Sequence, residues 1–375
     1  MSRLDELIAE LCPNGVEYKN LKEICGTITT GKLNANAMVE NGKYAFFTCD
    51  ATPFRIDSYA FDTEAILVSG NGSQVGHINY YKGKFNAYQR TYVLSDFNYT
   101  DVKYLLHYLK GYLRDYIMVH SKKGSVPYIT LPMLQNFKIP IPPLPVQEEI
   151  VRILDNFTEL TAELTAELTA RRKQYEYYRD LLLTFDDDVP RLAISDLLIR
   201  TKGTNITAQK MRQLHKENGE VRIFAGGKTY ADVDFKDIPK KDINLNPSII
   251  VKSRGIIEFE YYDKPFSHKN EFWSYYSENK NVNIKFVYYY LSKNVNYFQR
   301  IANNMQMPQI SIPVTDKYKV PLPPIKEQER IVAILDRFDA LCNDLTSGIP
   351  AEIEARQKQY EYYRDKLLSF KEVTS

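Results

Sequence analysis

From Ile150 onward, apolar residues return at alternating steps of four and three: Ile150, Leu154, Phe157, Leu164, Leu168, Tyr175, Tyr178, Leu182 and Phe185. Only Thr161 and Arg171 interrupt the series. A narrow apolar line on an otherwise charged stretch is the pattern of a helix that packs lengthwise on a partner helix. A second line runs through Ile331, Leu335, Phe338, Cys342 and Leu345, stops at Gly348-Ile349-Pro350, and resumes through Ile353, Tyr360, Tyr363, Leu367 and Phe370. The spacing predicts two long helices, the second interrupted where Gly and Pro break the helical ladder. Elsewhere the apolar residues form short runs bounded by Gly, Asn and Pro, such as "AILVSGNG" (65–72) and "SIIVKSRG" (248–255), which predict strands.

The two lines belong to a repeat that fills most of the chain. "VPYITLPMLQNFKIPIPPLPVQEEIVRILDNFTEL" (126–160) aligns without a gap on "MPQISIPVTDKYKVPLPPIKEQERIVAILDRFDAL" (307–341), and "ARRKQYEYYRDLLLTF" (170–185) returns as "ARQKQYEYYRDKLLSF" (355–370). Upstream, "YYKGKF" (80–85) matches "YYDKPF" (261–266), and "VKYLLHYL" (102–109) matches "IKFVYYYL" (284–291), a predicted helix. Each copy is a mixed α/β globule, then a stiff proline strap, then a long helix. The expected organisation is a globule at 1–146 with an N-terminal helix, a central helix at 147–188, a second globule at 189–327 and a distal helix at 328–375 broken near 347–350. Because the units repeat, the two helices are expected to pair antiparallel about a pseudo-twofold axis, with the globules at opposite ends. The fold class is α+β.

Within the central helix the word "TAEL" occurs back to back (161–168). Four residues add about 6 Å of helix, on the order of one to two base pairs of DNA length. They leave the apolar line only about half a residue out of phase, a stutter that local unwinding absorbs. The word can therefore be gained or lost without turning the apolar face outward.

Charge sharpens the division. The formal net charge is +2, but by segment it is +2 over 1–140, −6 over 141–190, +8 over 191–320 and −2 over 321–375. Basic globules beside acidic helices suit phosphate contact in one place and protein contact in another. The four cysteines (Cys12, Cys25, Cys49 and Cys342) are scattered, as in a protein of the reducing cytoplasm. No apolar stretch approaches the roughly 20 residues of a membrane span. Reactive constellations are missing. The five histidines are isolated, with no metal-ligand spacing, so no metal is expected. "FAGGKTYA" (224–231) ends like a phosphate loop, yet the position that must be glycine holds Arg222. There is no methyltransferase Asn/Asp-Pro-Pro-aromatic motif and no G-x-S-x-G. The pattern is that of a binder, not a catalyst.

"IPIPPLPVQEEIVRILDNFTEL", "VPLPPIKEQERIVAILDRFDAL" and the twin "KQYEYYRD" blocks resemble the repeated regions of the specificity subunits of type I restriction–modification systems, and the opening "CPNGVEYKNLKEI" is similar to theirs. The resemblance spans the chain. It implies two target recognition domains that each read half of a split site in double-stranded DNA, held apart by an antiparallel coiled coil. It also implies docking of two methyltransferase subunits, which bind S-adenosylmethionine and methylate adenine N6, and of restriction (translocase/nuclease) subunits. The chain itself would bind no cofactor and would not be the catalyst. The competing reading is a coiled-coil assembly scaffold whose globules bind only protein, and the +8 second globule argues against it.

The family carries architecture, not base contacts, so candidate readers rest on chemistry: Arg or Lys suits guanine, and Asn or Gln suits adenine. The repeated hairpin keeps its frame and changes its tip, offering Ser69, Asn71, Ser73 and Gln74 in copy one and Lys252, Ser253 and Arg254 in copy two. "YQR" adds Gln89 and Arg90, and "HKN" adds His268, Lys269 and Asn270. Loops contribute Lys122 and Lys123, Lys228, and Asn304, Gln306 and Gln309. Lys122 and Lys123 suit phosphates as well as bases. If the central helix is the ruler between two readers, deleting Thr165–Leu168 shortens the spacer of the recognised site and leaves both half-sites alone. Mapping methylated sites before and after the deletion checks this, and an unchanged spacer contradicts it.

Overall fold

The computed structural model describes residues 2–120, 127–227, 229–302, 308–344 and 346–373. The chain divides into two compact units, one comprising Met1–Thr165 with Glu352–Ser375 and the other Ala166–Ala351.

In the first unit a six-stranded sheet runs in the order Cys25–Thr30, Thr91–Phe97, Phe61–Ser69, Ile78–Ala87, Tyr44–Phe47, Phe54–Ile56. All neighbours are antiparallel except Tyr44–Phe47 beside Ile78–Ala87. Strand alternation sends Ile66 and Val68 into one core and Ala65 and Leu67 into another. The first core is closed by Leu105 and Leu109 of the helix Val102–His120, by Ile150 and Leu154 of the central helix, and by Leu368.

The second unit repeats this plan: Ile249 and Val251, Val287 and Leu291, Ile331 and Leu335, and Leu183 fill the matching positions of its core. One difference follows from a single residue. The strand Ile78–Ala87 is continuous, with Gly83 at φ +126 where it bends. Its counterpart is split into Glu258–Tyr262 and Phe266–His268, because Pro265 lacks the N–H needed to continue the ladder. The second unit therefore holds a four-stranded and a three-stranded sheet in place of one of six.

The central helix spans Leu144–Leu182, 39 residues and about 58 Å, and runs through the TAEL words unbroken. Thr161 and Thr165 donate their hydroxyls back to the carbonyls of Phe157 and Thr161, so each threonine is satisfied within the helix. The helix stops before the expected residue 188. The run Asp186-Asp187-Asp188 would load negative charge onto a helix C-terminus, and Pro190 follows it. The distal segment forms two helices, Ile325–Asn343 and Ile349–Leu367, as the Gly-Pro break predicts. A Cβ at Gly348 would lie 2.6 Å from the Ala340 carbonyl oxygen, so the break requires glycine.

Helix pairing is visible inside each unit. In the second, Arg172 bonds the Cys342 carbonyl while Tyr175 and Tyr178 lie against Phe338, so partner numbers fall as helix numbers rise and the pairing is antiparallel. Tyr178 stacks on Phe338 with ring centroids 5.7 Å apart. In the first unit Phe157 and Tyr363, the same two positions of the repeat, stack at 5.3 Å. Of the predicted seam, Ile150, Leu154, Ile331 and Leu335 are buried, and Phe157, Leu164, Leu168, Tyr175, Phe338 and Tyr360 are half-buried; Leu345 lies outside the described residues. No helix among the described residues is long and apolar enough to cross a membrane.

One buried glutamine fixes each strap to its globule. Gln147 donates to the carbonyls of Tyr99 and Pro142 and accepts from Thr100 and Asp101. Gln328 donates to Asn281 and Pro323 and accepts from Asn283. Asp155 and Asp336 are also equivalent, but their partners differ. His107 bonds Asp155 through Nε2 at 2.9 Å and Tyr360 through Nδ1 at 3.0 Å, whereas Tyr289 donates to Asp336.

Burial pushes the His107 pKa down, outweighing the pull of Asp155. The fold therefore favours the neutral ring. Its contribution is complete above the unfolded value of about 6.5 and is lost as pH falls below it. His107→Tyr, which copies the second unit, is expected to flatten the decline in thermal stability between pH 7 and 5. An equally steep decline in the variant contradicts the assignment.

Candidate nucleic-acid interface

The loop that ends the long strand Phe61–Ser69 is held from both sides by backbone. The Gly70 N–H donates to the Arg90 carbonyl, and the Ile129 N–H donates to the Gly70 carbonyl, each at 2.8 Å. Asn71 and Tyr128 then pair as an antiparallel bridge. In the second unit the Ile310 N–H donates to the Ser253 carbonyl at 3.0 Å, and Arg254 bridges Gln309 in the same way. Each loop then turns on a glycine at positive φ, +84 at Gly72 and +73 at Gly255. The frame is one frame, built twice.

Each frame opens a surface cleft. In the first unit, a cleft of about 100 Å³ is lined by Asn71, Gln89, Arg90 and Tyr128 among others. In the second, a cleft of about 430 Å³ is lined by Arg254, Asn270, Gln309 and Trp273 among others. Their polar groups differ. Where the first unit has Asn71, Gln89, Arg90 and Tyr128, the second has Arg254, Asn270, Glu271 and Gln309. Arg90, Arg254, Asn270 and Gln309 are exposed, and Asn71 is half-buried, with its Oδ1 accepting from the Cys49 thiol. Gln89 is exposed and donates to Asn34. Lys269 is half-buried and paired with Glu271 at 2.6 Å. A guanidinium and a carboxamide side by side form the donor and acceptor set that reads purine edges in a major groove.

Four candidates are withdrawn from reach by the fold. Ser69 and Lys252 close strands whose final residues are buried, and Ser253 follows Lys252 inward to donate to the Glu271 carbonyl. Lys252 is neutralised between Glu258 and Glu260 at 2.6 and 2.7 Å. Burial lowers its pKa, but those two bonds outweigh it and the net shift is upward, so it stays charged inside an ion cluster. His268 is fully buried against Ser274 and the Lys269 carbonyl, and burial holds its pKa down. A fully buried strand end carries no alternation, so the sequence pattern places the loop boundary too early.

Ser73 and Gln74 are exposed on the hairpin loop. Gln74 lines a different pocket, with His77, Lys110 and Arg114. Lys110 and Arg114, one helical turn apart, were open to a charge-pattern reading; Tyr128 carried no such signal. Lys122, Lys123, Lys228, Asn304 and Gln306 lie outside the described residues. Among the described residues no cluster of His, Cys, Asp and Glu could hold a metal.

The family model of the type I restriction modification DNA specificity domain matches the chain twice, over residues 13–171 and 192–355. A putative type I restriction enzyme specificity subunit of Haemophilus influenzae is 30% identical over 379 residues, covering 95% of this chain and 96% of its own. A type I restriction enzyme specificity subunit of Escherichia coli is 34% identical over 256 residues, covering 62% of this chain and 63% of its own. Among solved structures, the S subunit of a type I restriction-modification system from M. genitalium shares the fold, with a TM-score of 0.64 at 18% identity over 96% of this chain and 98% of that one.

Proposed function

We propose, for a chain that belongs to the type I restriction–modification DNA specificity family, that each unit reads one half of a bipartite duplex site through the cleft described above. The observation that carries this reading is one backbone frame bearing different polar groups, with Asn71, Gln89 and Arg90 in the first cleft and Arg254, Asn270 and Glu271 at the equivalent positions of the second. Two readers of unlike half-sites need a common docking geometry and different base chemistry, and the two clefts supply that combination. Arg254 donates to the O6 and N7 of a guanine, and Asn270 pairs with the N6 and N7 of an adenine. In the first cleft Arg90 suits a guanine, and Asn71 and Gln89 suit an adenine.

The central helix sets the distance between the half-sites. The acidic long helices dock two methyltransferase subunits, which supply S-adenosylmethionine and transfer its methyl group to adenine N6; restriction subunits join the same cytoplasmic complex. This chain selects the site and does not carry out the transfer.

Expression with the cognate methyltransferase, followed by genome-wide mapping of N6-methyladenine, tests the reading. The expected result is a split motif with a fixed spacer, and a short continuous motif would contradict it. Arg254→Ala is expected to relax one base position in one half-site, because a bidentate guanine contact contributes about 1–3 kcal/mol of discrimination. An unaltered motif removes Arg254 as a reader.

A further inference from the structure

The second unit carries a basic groove beside the cleft of Arg254. Arg191, Lys317 and Lys319 surround an open groove of about 620 Å³ whose walls include Tyr290, Tyr297 and Tyr318. Ile301 and Val314 line both this groove and the cleft of Arg254, so the two share a wall. All three cations are exposed, and no carboxylate among the described residues lies within ion-pair distance of them. The neighbouring Asp316 is taken by Arg200 and Tyr275, and the exposed Asp186, Asp187 and Asp188 form no ion pair with the groove. Arg191 is oriented by bonds to the Tyr290 hydroxyl and the Phe185 carbonyl.

At the matching place in the first unit the chemistry is reversed. Tyr18 stands where Arg191 stands and donates to the Phe370 carbonyl, and Asn136 stands for Lys317. Lys138, the counterpart of Lys319, is paired with Glu372 at 3.2 Å. The C-terminal segment is bound there by backbone: the Val16 N–H donates to Lys371 and the Val373 N–H donates to Val16. The first unit thus neutralises the lysine whose counterpart in the second has no carboxylate partner among the described residues.

We propose that this groove grips the DNA sugar–phosphate backbone flanking the second half-site. The inference rests on the DNA-reading function proposed above. Lysine ammonium, guanidinium and tyrosine hydroxyl groups all donate to phosphate oxygens, and the wall shared with the Arg254 cleft places that contact beside the bases being read. The charge difference between the globular segments, +8 against +2, follows the same asymmetry.

The test uses the chain purified with its methyltransferase and a duplex carrying the mapped site, with affinity measured across a range of salt concentrations. Lys317→Gln with Lys319→Gln should lower the slope of log affinity against log salt by about 2 and leave the methylated motif unchanged. Lys138→Gln should leave the slope near that of the unsubstituted protein. A double variant with an unchanged slope, beside a steep slope for the unsubstituted complex, overturns the groove and leaves the reading function standing. Loss of methyltransferase co-purification in the double variant overturns it in favour of a protein partner. A flat slope for the unsubstituted complex removes both proposals.

Discussion

The geometry of each unit depends on one buried amide. Gln147 and Gln328 are completely buried at the point where a proline strap becomes a long helix. A strap of this kind cannot donate backbone hydrogen bonds, so the carbonyls of Pro142 and Pro323 need a donor from elsewhere, and the glutamine supplies it at 2.7 Å in both units. The same amide also holds the turn that starts the core helix. The direction in which the long helix leaves the globule is thereby tied to the sheet that carries the reading loop. Losing the amide would strand several buried polar groups, each at a cost of about 1–3 kcal/mol.

From that anchor the same construction is carried out twice with different surfaces. The helix seam, the stacked pairs Phe157–Tyr363 and Phe338–Tyr178, and the aspartates Asp155 and Asp336 all keep their places. What changes is what the frame presents: different polar side chains around the clefts, and Arg191, Lys317 and Lys319 in the second unit where the first has Tyr18, Asn136 and a paired Lys138. A repeat that preserves its core and varies its rim separates folding from recognition, because the rim residues carry little of the burial that stabilises the unit.

Much of this was legible in the sequence because the repeat exposes its own constraints. The helix seam, the break at Gly348 and the hairpin after Phe61–Ser69 follow from periodicity and from Gly and Pro chemistry. The placing of Asn71 beside Tyr128 and of Arg254 beside Gln309 was not legible, because it depends on backbone bridges that join distant segments. Lys252 looked like a loop cation, since an all-buried strand end has the same local composition as a loop start. His107 looked isolated because its partners, Asp155 and Tyr360, are 48 and 253 residues away in the chain. Side-chain fate at element ends is set by tertiary contacts, to which local pattern is blind.

The central claim is that the two clefts read separate halves of one site through a shared frame. The most direct measurement is the methylation map of a chain carrying Asn71→Arg, Gln89→Asn and Arg90→Glu, which gives the first cleft the groups found at the equivalent positions of the second. The account predicts a changed first half-site, with the second half-site and the spacer as before. A map in which neither half changes, or in which both change together, would contradict it.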